Sequence, residues 1–168
     1  MSTAASTGRL VIRELTLDDA SYLLLLNSDP EVLRHVHDAP FVDLEAVCQW
    51  IIEIPQKLPN GFGRWAITLK DGTWIGRCSL RKGEDGVTLL GYRLLREHWG
   101  NGYATEAVRA LRQLAFDRFR VTWLESHVAP GTAGSKRVLE KCGAQMVGKG
   151  PAMNFPDAEI YRFAAVIQ

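Results

Sequence analysis

Apolar and polar positions recur along this chain with two periods, and where one gives way to the other marks its elements. Arg9–Glu14 alternates as a strand does. Thr16-Leu17-Asp18-Asp19 then sets a hydroxyl before two acids, a helix-start pattern, and the helix carries Ala20 and Leu23–Leu26 to about Asn27. Asp29-Pro30 repeats the signal with proline at the first helical position, predicting a short helix to about His35. Asp43 caps a third helix, whose Val47, Trp50, Ile51 and Ile54 share one face before Pro55 and Pro59 unsettle its end. Strands Phe62–Leu69 and Thr73–Leu80 meet at Asp71-Gly72, a hairpin turn, and Val87–Leu95 follows a turn over Lys82–Gly86. The clearest helix places Ala104, Ala107, Val108, Leu111, Leu114 and Ala115 at i, i+3, i+4 spacing. A strand at Val121–Val128, a helix at Ala133–Cys142 stopped by Gly143, and strands at Ala144–Gly148 and Glu159–Ile167 complete the pattern. The order predicts an α+β sheet protein with one helical crossover after the central strand.

Composition narrows the class. The chain has 168 residues, 46% hydrophobic and 23% charged, which suits one globular domain with a core of its own. Lys and Arg number 20 against 19 Asp and Glu, and this balance argues against a nucleic-acid or membrane-surface binder. Cys48, Cys78 and Cys142 are widely spaced and form no Cys-x-x-Cys, so neither a disulfide framework nor a metal site is expected. Tyr22–Leu26, the longest apolar run, is far too short to span a bilayer. Met1–Gly8 is small and polar, and reads as a flexible tail rather than a signal peptide. The expectation is a cytoplasmic protein with a tail over 1–8 and a single domain over 9–168.

The chemistry concentrates at Gly91–Ala107, where a strand ends, a glycine-bearing turn follows and the periodic helix begins at once. Gly100 and Gly102 can turn successive N–H groups into one concavity, and the helix N-terminus adds unsatisfied donors with partial positive charge. Together they suit a phosphate or pyrophosphate. On spacing alone, a tight connection that uses glycine only for geometry explains the turn as well. It is not a Walker loop, because no Gly-Lys-Ser/Thr follows, and Thr105 stands where a dinucleotide fingerprint needs its third glycine.

Trp99-Gly100-Asn101-Gly102-Tyr103-Ala104-Thr105-Glu106-Ala107, behind Leu90-Gly91-Tyr92, closely resembles the acetyl-CoA signature of the GNAT N-acetyltransferases, nearest to their RimJ/RimL-type branch. Further pieces fall in family order: Arg9-Leu-x-Ile-Arg13, Asp29-Pro30-Glu31-Val32, Gly63-x-Trp65-x-Ile67, Ile75-Gly76, Ser135-x-Arg137-Val138-Leu139 and Asp157-x-x-x-Tyr161. The resemblance implies the GNAT fold: a mixed, mostly antiparallel sheet of six to seven strands, flanked by helices and splayed between the fourth strand, Val87–Leu95, and the fifth, Val121–Val128. It implies acetyl-CoA in that splay. Amides of Gly100, Asn101, Gly102, Tyr103 and Ala104, with Thr105 beside them, would hold the pyrophosphate. Tyr92, Leu94 and Leu95 would pair with the pantetheine arm, and Trp99 would shape the turn. The implied activity is acetyl transfer to an amine, on a protein N-terminus or a small molecule, by a monomer or homodimer.

Three departures bear on mechanism. Thr132 replaces the usual asparagine, and its hydroxyl, with Ser135, is still expected to contact the cofactor without reproducing both ends of an amide; Leu139 replaces the usual acid tyrosine, and Leu89 an acid often found before the Gly-Tyr pair. Ser135 becomes the candidate to meet the thiolate. For the general base, Glu125 and His127 share one face of a strand, and Glu97, His98 and a water relay are alternatives; His35 and His37, in the loop after the short helix, are candidate contacts to the acceptor, since the resemblance implies that this loop borders its site. The same losses leave open a non-catalytic acyl-CoA-binding or sensing module.

Overall fold

The computed structural model describes residues 2–36, 39–57, 62–83, 85–152 and 155–165. The helices among them are α1 (Ala20–Leu26), α2 (Pro30–Leu33), α3 (Leu44–Lys57), α4 (Tyr103–Gln113) and α5 (Ala133–Lys141). The strands are β1 (Thr3–Ser6), β2 (Leu10–Glu14), β3 (Gly63–Leu69), β4 (Trp74–Lys82), β5 (Thr88–Leu94), β6 (Leu124–Val128), β7 (Ala144–Ala152) and β8 (Phe155–Phe163). All eight join one sheet in the order β1-β2-β3-β4-β5-β6-β8-β7. Every neighbouring pair is antiparallel except β5 and β6, which run parallel because α4 carries the chain back between them. This is the expected mixed sheet with one strand more.

The additional strand corrects the expected tail. Thr3–Ser6 pairs with β2, and Lys70 Nζ donates to Ser6 Oγ at 2.6 Å. Ala4, Ala5 and Ser6 are weak strand formers, so the backbone ladder holds the strand, with half-buried Ala4 and Ala5 packed against the core. Other boundaries shift for local reasons. Strand β6 starts at Leu124 because Phe119 N–H donates to Leu114 O (3.2 Å), closing the wider π-type turn Leu114–Arg118 that ends the α4 segment, and Val121 N–H is then taken by Ala115 O (3.2 Å). Strand β7 runs through Gly150 and Pro151, which read as loop residues but sit on the sheet edge, where proline costs no ladder bond.

Two cores sandwich the sheet. On one face Leu90, Leu94, Leu124 and Val128 pack with Ala107, Val108 and Leu111 of α4 and Leu139 of α5. On the other, Ala66, Trp74 and Leu95 pack with Leu23 and Leu26 of α1 and Val47 and Ile51 of α3. Each fully buried large apolar side chain contributes roughly 1.5–3 kcal/mol, enough to fix the rotation of both helix layers. No described helix is long and apolar enough to cross a membrane.

The consequential feature is where pairing stops. Strands β5 and β6 are in register only at Thr88↔Leu124 and Leu89↔Glu125. Beyond that point β5 follows β4 to Gly76↔Leu94, while β6 follows β8 to Val128↔Glu159. The sheet therefore splays between the two strands predicted to separate.

Candidate active site

The splay opens a cleft of about 890 Å3 that reaches both faces of the sheet. Its β5 wall is an unpaired strand edge. Leu95 N–H donates to Ile75 O at 2.9 Å, so by period two the odd-numbered backbone groups of β5 serve β4. Tyr92 and Leu94 then turn theirs toward the gap. Trp99 Nε1 donates to Leu94 O at 2.9 Å, leaving Leu94 its N–H on that side. Leu95 is different: its carbonyl accepts from His98 N–H and its side chain sits in the opposite core. Strand periodicity thus removes Leu95 from the cleft that Tyr92 and Leu94 line.

Two helix ends face the gap. Gly100 and Gly102 have φ of 76° and 77°, a left-handed conformation that side chains resist. The first bond of α4 is Glu106 N–H to Gly102 O (3.1 Å), so the N–H groups of Tyr103, Ala104 and Thr105 stand at its open end. In α5, Lys136 N–H bonds Thr132 O (3.3 Å), leaving Gly134 and Ser135 N–H at the start of that helix. Tyr103, Ala104, Thr105, Gly134 and Ser135 all line the cleft, and the paired helix ends give it a positive rim suited to a diphosphate. Asn101 is not on the wall; its Nδ2 ties the turn to His98 O (3.3 Å) and Trp99 O (3.1 Å). Thr132 is on the wall, but its hydroxyl is spent on Ala129 O at 2.9 Å.

A clamp that sequence reasoning missed holds this turn. Arg9 Nη1 donates to Asn101 O (2.9 Å), its Nε to Glu106 Oε2 (2.6 Å), and its guanidinium lies 4.7 Å from the Tyr103 ring centre. Burial alone would raise the Glu106 pKa, yet hydrogen bonds from Thr7 and Arg9 hold it below the usual value.

On the α4–α5 face, the Tyr92 hydroxyl is buried and lacks a hydrogen-bond partner among the described residues. Burial pushes its pKa up to about 12, an effect that the Ser135 hydroxyl, beside it but short of full hydrogen-bond geometry, partly offsets. Leu139, where a family tyrosine would stand, is fully buried in the core. Cys142 Sγ donates to Thr105 O (3.4 Å) and burial raises its pKa, the opposite of an activated nucleophile.

Across the sheet, Glu125 and His127 meet as their strand spacing predicts. His127 Nε2 lies 3.3 Å from Glu125 Oε2, and Glu125 Oε1 accepts from Arg162 Nε (2.8 Å) and Nη2 (2.6 Å). Only His127 of the two lines the cleft. His35 and His98 line it as well, Glu97 does not, and His37 falls outside the described residues. Among the described residues no cluster of three His, Cys, Asp or Glu could hold a metal ion.

The GNAT acetyltransferase domain profile matches residues 9–145, which spans every element of the cleft. The chain belongs to the GNAT acetyltransferase family. An uncharacterized N-acetyltransferase, p20 of Bacillus licheniformis, is 33% identical over 146 residues, 84% of this chain and 82% of that protein. The acetyltransferase structure from Agrobacterium tumefaciens superposes with a TM-score of 0.82 at 27% identity, over 98% of this chain and 95% of that one. A RimL alpha-N-protein acetyltransferase solved with coenzyme A reaches 0.83 at 14% identity, over 97% and 98%, a likeness of GNAT fold alone.

Proposed function

We propose that this GNAT protein is a RimJ/RimL-like, acetyl-CoA-dependent N-acetyltransferase whose primary-amine acceptor attacks directly in a ternary complex. The carrying observation is the open β5 edge between two helix N-termini: one strand-like arm and one diphosphate are what that geometry accommodates. Acetyl-CoA supplies an activated acetyl group and a thiol leaving group. The chain's residues hold and move protons around it. Tyr92 and Leu94 pair with the extended arm, and the α4 turn receives the diphosphate.

His127 is the base. Glu125 Oε2 accepts a hydrogen bond from Nε2–H and Arg162 holds Glu125, so Nδ1 is left as the acceptor for a proton from the amine. On the opposite face Ser135 donates to the leaving sulfur, with Tyr92 Oη behind it. Glu125 is a positioning residue in this scheme, which separates two roles the strand pattern left joined.

Thiol release from acetyl-CoA against a panel of primary amines tests the reading. Amine-dependent release is the expected result. Saturable acetyl-CoA binding with no release for any amine overturns it in favour of an acyl-CoA sensor.

A further inference from the structure

On the α1–α3 side of the cleft stands a hydroxyl that the scheme above does not use. Leu80 and Leu90 belong to the core under α4 and α5, so by period two Ser79 and Gly91 face the other way. Glu125 and His127 do the same between Leu124 and Val128. Ser79 of β4 and Gly91 of β5 are direct cross-strand partners. A Cβ on Gly91 would stand 3.1 Å from Ser79 Oγ, a tight contact. Because glycine carries none, the Ser79 hydroxyl lies open beside the β5 backbone, in the cleft that both residues line.

Ser79 is 5% exposed, and among the described residues its hydroxyl enters no hydrogen bond. Buried polar groups are as a rule satisfied, so one that is open only to a cleft suits a ligand. Its level along the sheet fits the chemistry. Strands β5 and β6 last pair at Leu89↔Glu125, so Gly91 and His127, two residues on, flank the first open step of the splay. Counted from β4 through β5 to β6, Ser79 and His127 stand at least two strand spacings apart, roughly 10 Å at the backbone. That span holds one amine nitrogen between the two side chains.

We propose that Ser79 is the second contact of the acceptor nitrogen and makes the enzyme selective for primary amines over their N-methyl counterparts. The inference rests on the acetyl-transfer reading above and deepens it. A neutral primary amine offers one lone pair and two N–H bonds. The lone pair forms the C–N bond to the acetyl carbon as the C–S bond breaks. His127 Nδ1 takes one proton, the sulfur receives one from Ser135, and both groups re-equilibrate with solvent after release. The second N–H donates to Ser79 Oγ and stays there in the product amide, so this contact aims the lone pair throughout. An N-methyl amine has a single N–H, and its methyl group would occupy the space that Gly91 leaves beside Ser79. Gly91 admits the nitrogen and Ser79 orients it.

The probe is the primary amine of the panel above that releases thiol fastest, set beside its N-methyl derivative. Acetyl-CoA affinity is measured by calorimetry on every variant. The parent protein is expected to favour the primary amine in kcat/KM by at least about tenfold. Ser79→Ala is expected to lower kcat/KM about tenfold for the primary amine and little for the N-methyl amine, with acetyl-CoA affinity unchanged. Gly91→Ala, which covers the hydroxyl, is expected to give the same loss for the primary amine and again to keep acetyl-CoA affinity. Equal losses for both amines in Ser79→Ala would make Ser79 structural and overturn the inference, as would a parent protein without preference. A panel with no acceptor at all sinks the acetyl-transfer reading, whereas thiol release that Ser79→Ala leaves untouched sinks this inference alone.

Discussion

Arg9, just before β2, grips Glu106 in the first turn of α4 across 2.6 Å, and Glu106 also accepts from Thr7 Oγ1 (2.6 Å) and Arg9 N–H (2.8 Å). One carboxylate thereby links the β1–β2 connection to the helix whose N-terminus faces the cleft. Its proton is held less tightly folded than unfolded. The contribution is therefore complete above the ordinary glutamate value of 4.5 and is lost as pH falls through the lower folded value. Arg9 is half exposed and solvent screens the pair, so Glu106→Gln is expected to cost roughly 1 kcal/mol at neutral pH. Melting curves of both proteins should converge in acid; a constant gap would contradict the linkage.

Gly102 has φ +77°, and a Cβ there would stand 3.4 Å from Arg9 Nη2. A valine pays on the order of 1–2 kcal/mol for the left-handed conformation and pushes against the clamp. Gly102→Val should leave a folded protein, by circular dichroism, with acetyl-CoA affinity lowered at least about tenfold, the equivalent of 1.4 kcal/mol.

Tyr92→Phe separates stability from catalysis. An unpaired buried hydroxyl costs about 1–3 kcal/mol, so its removal is expected to leave the melting temperature unchanged or raise it. Turnover should fall, because the group behind Ser135 is gone. Ser135→Ala should lower kcat more than it weakens acetyl-CoA binding. An equal loss in both would make Ser135 a cofactor contact only.

His127→Ala should abolish the limb of the pH–rate profile on which kcat rises with pH. Glu125→Gln should keep that limb but lower kcat, since the imidazole remains and loses the carboxylate that orients it. A profile identical to the parent's in the His127 variant would assign the base elsewhere.

Much of this architecture was legible in residue order. The α4 stripe through Ala107, Val108 and Leu111, the Asp71-Gly72 hairpin and the glycine turn are local signals, and local physics decides them. The Ser79–Gly91 pair was not legible, because twelve positions separate two residues that only strand register brings together. Arg9 was visible as part of a motif, but its grip on Glu106 depends on the crossover. Strand β1 lacked a signal altogether, since Ala4 and Ala5 gain their order from neighbours. Leu95 looked like a continuation of Leu94, and only the hydrogen bond to Ile75 shows which edge it serves.

The most direct test of the central claim is calorimetric titration of the purified protein with acetyl-CoA. The splayed cleft predicts saturable micromolar binding at one site per chain, weakened at least about tenfold in Gly102→Val and retained in Tyr92→Phe. No heat of binding in the folded parent protein would contradict the cofactor site and the reaction built on it.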